Sequence, residues 1–143
     1  FAGAQCVEDS SVSPVNADCD SDSGTENQAG EKLERSPDYE FNLSAIWESQ
    51  LTDTIVLKGS ASMYRSDGYF VQPTQAAYAT QSAFTKWDAR IALAGNDERW
   101  EVGVIGRNLG DEMTIQHAYN IAGNQFQNLS IGRSYLLEGI VRF

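Results

Sequence analysis

One histidine, two cysteines and a handful of loop aromatics are the residues of this sequence with the means to do chemistry. His117 has no spacing to Ser, Asp or Cys that implies a nucleophile or a metal site. The chain therefore reads as no enzyme, with no cofactor and no metal. Cys6 and Cys19 have no His or further Cys nearby of the kind a zinc site needs. In an oxidising compartment the expectation is a local disulfide between them, with free thiols as the alternative. The rings are more suggestive. Tyr69, Phe70, Tyr78, His117, Tyr119 and Phe126 enrich two polar stretches. Such residues suit gripping a small-molecule ligand, and they equally suit packing those stretches on one another.

What must position them is a set of alternating segments. Tyr39–Glu48, Thr54–Ser66, Phe84–Leu93, Trp100–Leu109 and Ser134–Phe143 each place apolar side chains at every second residue. Period two means strand, because successive side chains point to opposite faces of a sheet. One set reads Tyr39, Phe41, Leu43, Ala45 and Trp47; another reads Tyr135, Leu137, Gly139, Val141 and Phe143. Phe1–Gln5 reads as the tail of one more incoming strand, making about six. Between the strands, 6–37, 67–83 and 110–133 are long polar loops, whereas 49–53 and 95–98 are short turns.

Long and short connections thus alternate. Ten residues at about 3.3 Å each, tilted by about 45°, cover roughly the 25 Å apolar band of an outer membrane. Short turns on the periplasmic side and long loops outside are the pattern of such barrels. If Phe143 ends in the periplasm, both short turns fall there and all three long loops fall outside. Trp47, Trp100 and Phe143 then lie near one interface, and Tyr39, Trp87 and Tyr135 near the other, as aromatic girdles do. The fold expected is all-β, an antiparallel transmembrane β-barrel segment with residues 1–37 mostly an extracellular loop. A β-sandwich is the competing fold.

From about Gly30 onwards the chain resembles the carboxy-terminal part of a TonB-dependent outer-membrane receptor. Gly30–Pro37 looks like that family's entry into a late strand. Arg107-Asn108-Leu109-Gly110-Asp111 looks like its Asn-Leu-x-Asp element, and Arg133–Phe143 like its closing strand with terminal Phe. Between Trp87 and Asp111 the order of aromatic strand, acidic turn and Trp-containing strand also matches. Gly139 departs from the pattern, standing where the family's closing strand carries a larger apolar residue. The resemblance implies active uptake of a scarce nutrient, such as a ferric siderophore, across the outer membrane of a Gram-negative cell. It implies two partners besides ligand and outer-membrane lipid: an amino-terminal plug and, through it, the TonB energy-coupling complex. Neither the plug nor the coupling segment is among these 143 residues, so the chain is expected to be part of a longer one. A small barrel or sandwich acting as a binding or adhesion module, without active transport, is the alternative function.

Charge and composition fit this frame. The net charge is −10, and residues 1–40 hold ten acids against Lys32 and Arg35, which argues against a nucleic-acid partner. No run of about eighteen apolar residues exists for a transmembrane helix. Glu40, Asn42, Glu48, Lys58, Lys86, Asp88, Arg90, Glu101, Arg107, Glu138 and Arg142 fall on the face opposite the aromatics, expected to line the lumen. They serve either as cross-strand charge pairs holding the wall or as contacts for a moving plug. Asn42 and Asn128 match a glycosylation acceptor pattern, coincidental in a bacterial setting.

Overall fold

The computed structural model describes residues 2–5, 19–20, 25–27, 30, 32–73 and 75–143. In chain order the strands are β1 (Ala2–Gln5), β2 (Cys19–Asp20), β3 (Thr25–Asn27), β4 (Glu40–Thr52), β5 (Ile55–Ser66) and β6 (Tyr69–Phe70). There follow β7 (Thr80–Gln81), β8 (Phe84–Gly95), β9 (Trp100–Arg107), β10 (Ile115–Ile121), β11 (Asn124–Leu129) and β12 (Ser134–Val141). A 3-10 turn occupies Ala77–Ala79, and no α-helix occurs among the described residues. The fold is all-β and its sheets are antiparallel. The chain divides into two compact units, one of Asp38–Asp67, Ala83–Thr114 and Ser130–Phe143, the other of the three segments between.

The first unit is an open sheet of five strands in the order β12-β9-β8-β5-β4. Every apolar set named from the sequence falls on one face, in register. The row through Leu137 runs Val104, Ile91, Gly59, Trp47, and the row through Tyr135 runs Gly106, Ala89, Ala61, Ala45. The expected sixth strand does not join. Residues Ala2–Gln5 pair instead with Thr25–Asn27 in the three-stranded sheet β1-β3-β2 of the other unit. With small or polar residues at every described position of β1, nothing in its pattern selects an apolar face. β4 and β12 are therefore the sheet's edges among the described residues.

Burial is inverted relative to a water-soluble sheet. The apolar face is open: Leu137 is 81% exposed, Trp87 46%, and Ile91, Val102 and Val104 are comparably bare. Three glycines on that face lie against large side chains, whereas Gly139 on β12 has open space above it. A Cβ on Gly59 would collide with the Trp47 indole, and one on Gly95 would sit 2.7 Å from Trp100 Nε1. One on Gly106 would meet Leu109 Cδ2 at 2.6 Å and Tyr135 Cε1 at 3.3 Å. The bulk of an aromatic thus replaces the side chain its cross-strand neighbour lacks.

The opposite face is polar and better covered. Arg90 reaches Glu101 on β9 and Glu138 on β12, with its Nε 3.1 Å from Glu138 Oε1, while Lys58 Nζ lies 3.4 Å from Glu101 Oε2. Glu101 is 6% exposed. These long side chains lie across small ones: Ala92 is 3% exposed, and a Cβ on Gly103 would be 3.5 Å from Arg90 Nη2. Four of the charges named from the sequence thus pair across strands, as the first of the two readings weighed for them expects. Ile46 and Leu136 are exceptions on this face, apolar and exposed on the two edge strands.

The two aromatic rows do not follow the register. The row through Tyr135 meets β8 at Ala89 and β4 at Ala45, but Trp87 lies two residues nearer the long-loop end and Tyr39 six residues nearer. The row through Trp47 meets β9 at Val104 and β12 at Leu137. There Trp100 lies four residues and Phe143 six residues nearer the short-turn end. Both lines of rings cross the sheet obliquely, in the same sense, shifting six residues over the four steps from β12 to β4.

Candidate ligand-binding face

The loop aromatics belong to the second unit, whose described parts include β6, β7, the 3-10 turn, β10 and β11. Sequence 110–133 reads as a loop, yet its centre is a hairpin. β10 and β11 pair from His117↔Asn128 to Ile121↔Asn124. The turn between them is Ala122-Gly123 with φ of 50° and 83°, left-handed at both positions, as a two-residue hairpin whose twist matches its strands requires. Asn120 Oδ1 accepts the Gly123 N–H at 3.0 Å and holds the turn.

The hairpin has two different faces. Ala118 is buried against Val71, Ala76 and Ala79, with Tyr69, Tyr78 and Ile115 packed around them. Amide side chains stitch this side together. Gln127 donates to the Tyr78 carbonyl at 2.6 Å, Gln72 donates to the Ala118 carbonyl, and Gln81 Oε1 accepts the Ile115 N–H at 2.7 Å. The other face alternates outward: His117, Tyr119 and Ile121 from β10, with Asn128, Phe126 and Asn124 from β11, all exposed. Tyr119 and Phe126 are cross-strand partners whose rings stack at 5.5 Å between centroids and 19° between planes, each 44% exposed.

The six ring-bearing candidates thus separate. His117, Tyr119 and Phe126 come together on the outward face, while Tyr69 and Tyr78 pack in a small core. Phe70 is half-buried in β6, where its carbonyl accepts the Arg35 N–H at 2.7 Å. Tyr69 and Tyr78 take the packing role of the two weighed for these rings, and His117, Tyr119 and Phe126 are left exposed. Asn124 and Asn128 complete the outward face and carried no binding signal beforehand. Reading Ala122-Gly123 as a hairpin turn would have placed them there. Cys6 lies outside the described residues, and so does the expected Cys6–Cys19 bond. Among the described residues no cluster of three or more His, Cys, Asp or Glu could hold a metal.

Where the chain leaves the five-stranded sheet for the hairpin, and where it returns, the first unit ties itself down. Ser130 N–H donates to the Thr114 carbonyl at 2.7 Å, and Lys86 Nζ reaches Thr114 Oγ1 at 3.0 Å and Ser130 Oγ at 3.1 Å. Just before, Asn108-Leu109-Gly110-Asp111 forms a knot. Asn108, 7% exposed and with φ 50°, takes the Glu112 N–H on Oδ1 at 2.9 Å. It also donates from Nδ2 to the carbonyls of Glu112 at 2.9 Å and Ile131 at 3.3 Å. Asp111 Oδ1 accepts the Arg133 N–H at 2.7 Å. Asn suits this place because it tolerates the left-handed region and carries both a donor and an acceptor. Asn108→Ala should destabilise the folded protein by about 1–3 kcal/mol, from buried carbonyls left without donors. Asn108→Asp keeps only the acceptor and should fall between; urea unfolding of the two variants beside the parent checks the order.

Comparison with family models, with curated proteins and with solved structures finds no match to this chain.

Proposed function

We propose that this chain is the closing part of the barrel wall of a TonB-dependent receptor in a Gram-negative outer membrane. The observation that carries the reading is the oblique course of the two aromatic rows. Strands about 4.8 Å apart, rising about 3.3 Å per residue and tilted by about 45°, bring successive strands to one height with a shift of about 1.5 residues each. Six residues over four steps is that shift, and it recurs in both rows. Rings scattered over a level sheet would be level only by following the register.

The exposed apolar face and the charged opposite face fit lipid outside and a polar lumen within. A β-sandwich would bury the apolar face against a second sheet. In this reading the outward hairpin captures a scarce small nutrient, and energy comes from the TonB complex through an amino-terminal part of the same protein.

Labelling tests the orientation. In the complete protein with Cys6 and Cys19 replaced by Ser, Asn124→Cys should react with a membrane-impermeant maleimide on intact cells. Asn96→Cys, in a short turn, should react only after the outer membrane is permeabilised. The opposite pattern, or equal labelling of both, would sink the reading.

A further inference from the structure

We propose that the outward face of the β10–β11 hairpin binds a neutral oligosaccharide, stacking a sugar ring on the Tyr119–Phe126 pair. The first ground is charge. Residues 68–82 and 113–132 contain no Asp, Glu, Lys or Arg, in a chain that is 21% charged. An anionic ferric chelate is ordinarily met by Arg or Lys, whose charge-assisted hydrogen bonds hold carboxylate or phenolate oxygens. None is present in these two stretches, and the chain's net charge of −10 opposes an anion further.

The second ground is shape and hydrogen bonding. Two near-parallel rings, stacked on one another and held by strand pairing, leave an outer aromatic face whose position is fixed before anything binds. The C–H face of a pyranose is apolar and flat, while its rim carries hydroxyls that both donate and accept. Beside the rings on the same face stand Asn124, Asn128 and His117, exposed side chains that also donate and accept. On the other face Gln127, with Gln72 and Gln81 from the segment packed there, is engaged with backbone groups. The outward amides are thus the ones placed to meet hydroxyls. Ile121 extends the apolar strip towards the turn, giving room for more than one ring.

The inference rests on the receptor reading for what the binding serves, and it replaces a ferric chelate by a sugar as the nutrient. The test is calorimetric titration of the complete protein in detergent with maltohexaose, cellohexaose, laminarihexaose and xylohexaose, and separately with ferric citrate. At least one hexasaccharide should bind. Tyr119→Ala and Phe126→Ala should each weaken it about tenfold or more, while Phe126→Tyr retains it. Circular dichroism of each variant should match the parent, since both rings are exposed. Binding of none of the four sugars overturns the proposal, as does sugar binding unaffected by either alanine. Ferric citrate binding that these alanines weaken overturns it too. If labelling shows the hairpin not to be extracellular while sugar binding keeps its dependence on Tyr119, the receptor reading fails and this inference stands.

Discussion

Ile91→Arg and Val104→Arg should each destabilise the assembled protein by about 2–4 kcal/mol if, as proposed, the apolar face meets lipid, the cost of a guanidinium near mid-membrane. Both residues stand in the row of Trp47 and Leu137, on the open apolar face. Leu43→Arg belongs with them, and Ile55→Arg, beside a short turn, should cost less because the penalty falls towards the interfaces. Ser44→Arg is the control. Its register partner is Ser62 on the polar face, where an added cation meets water and nearby acids. Folding free energies in lipid vesicles distinguish the cases. Equal tolerance of Arg at Ile91 and Ser44 would mean that no lipid lies against the apolar face.

Residues 1–143 expressed alone in detergent should give no monodisperse, heat-modifiable monomer, and should transport nothing. The reason lies at the sheet's edges. Among the described residues, β4 pairs only with β5 and β12 only with β9. Each unpaired N–H or C=O facing lipid costs several kcal/mol, and β4 alone is 13 residues long. In water the sheet fares no better, because the face bearing Trp47, Trp87 and Trp100 would be bare and would drive association. In the proposed barrel, closure needs further strands between the two edges. A heat-modifiable monomer of the isolated chain would show that it closes on itself, and a small barrel acting as a binding module would then be the better reading.

The five long strands were legible in the sequence because period two survives wherever one face is kept apolar, and a one-residue slip would turn that face over. Hence Leu43, Met63 and Trp87 share a row as their alternation requires. The relative levels of the aromatic residues along the strands were not legible. Trp47 and Trp100 each look close to a short turn in sequence, and only the pairing shows them four residues apart along the strands. The hairpin was missed for a different reason. Its buried face offers just one small residue, Ala118, against a core of other small residues, so no apolar period rises above the amides around it. The three-residue grouping of His117, Tyr119 and Phe126 followed the same blind spot, since it exists only once Ala122-Gly123 folds the chain back.

The anchored root at Thr114 and Ser130 bears on how such a protein changes over time. Both ends of the 115–129 insert are fixed by bonds among Thr114, Ser130 and Lys86, all within the five-stranded unit. The turn and the outward positions between those two points can change with the pinned ends left as they are, whereas Ile115, Ala118 and Gln127 are held by the small core. Selection on the hairpin's exposed face is thereby uncoupled from selection on how the five-stranded sheet assembles. For engineering, Thr114 and Ser130 are the natural boundaries for grafting a foreign hairpin that keeps Ile115, Ala118 and Gln127, and Ala122-Gly123 the natural place for a short peptide insertion.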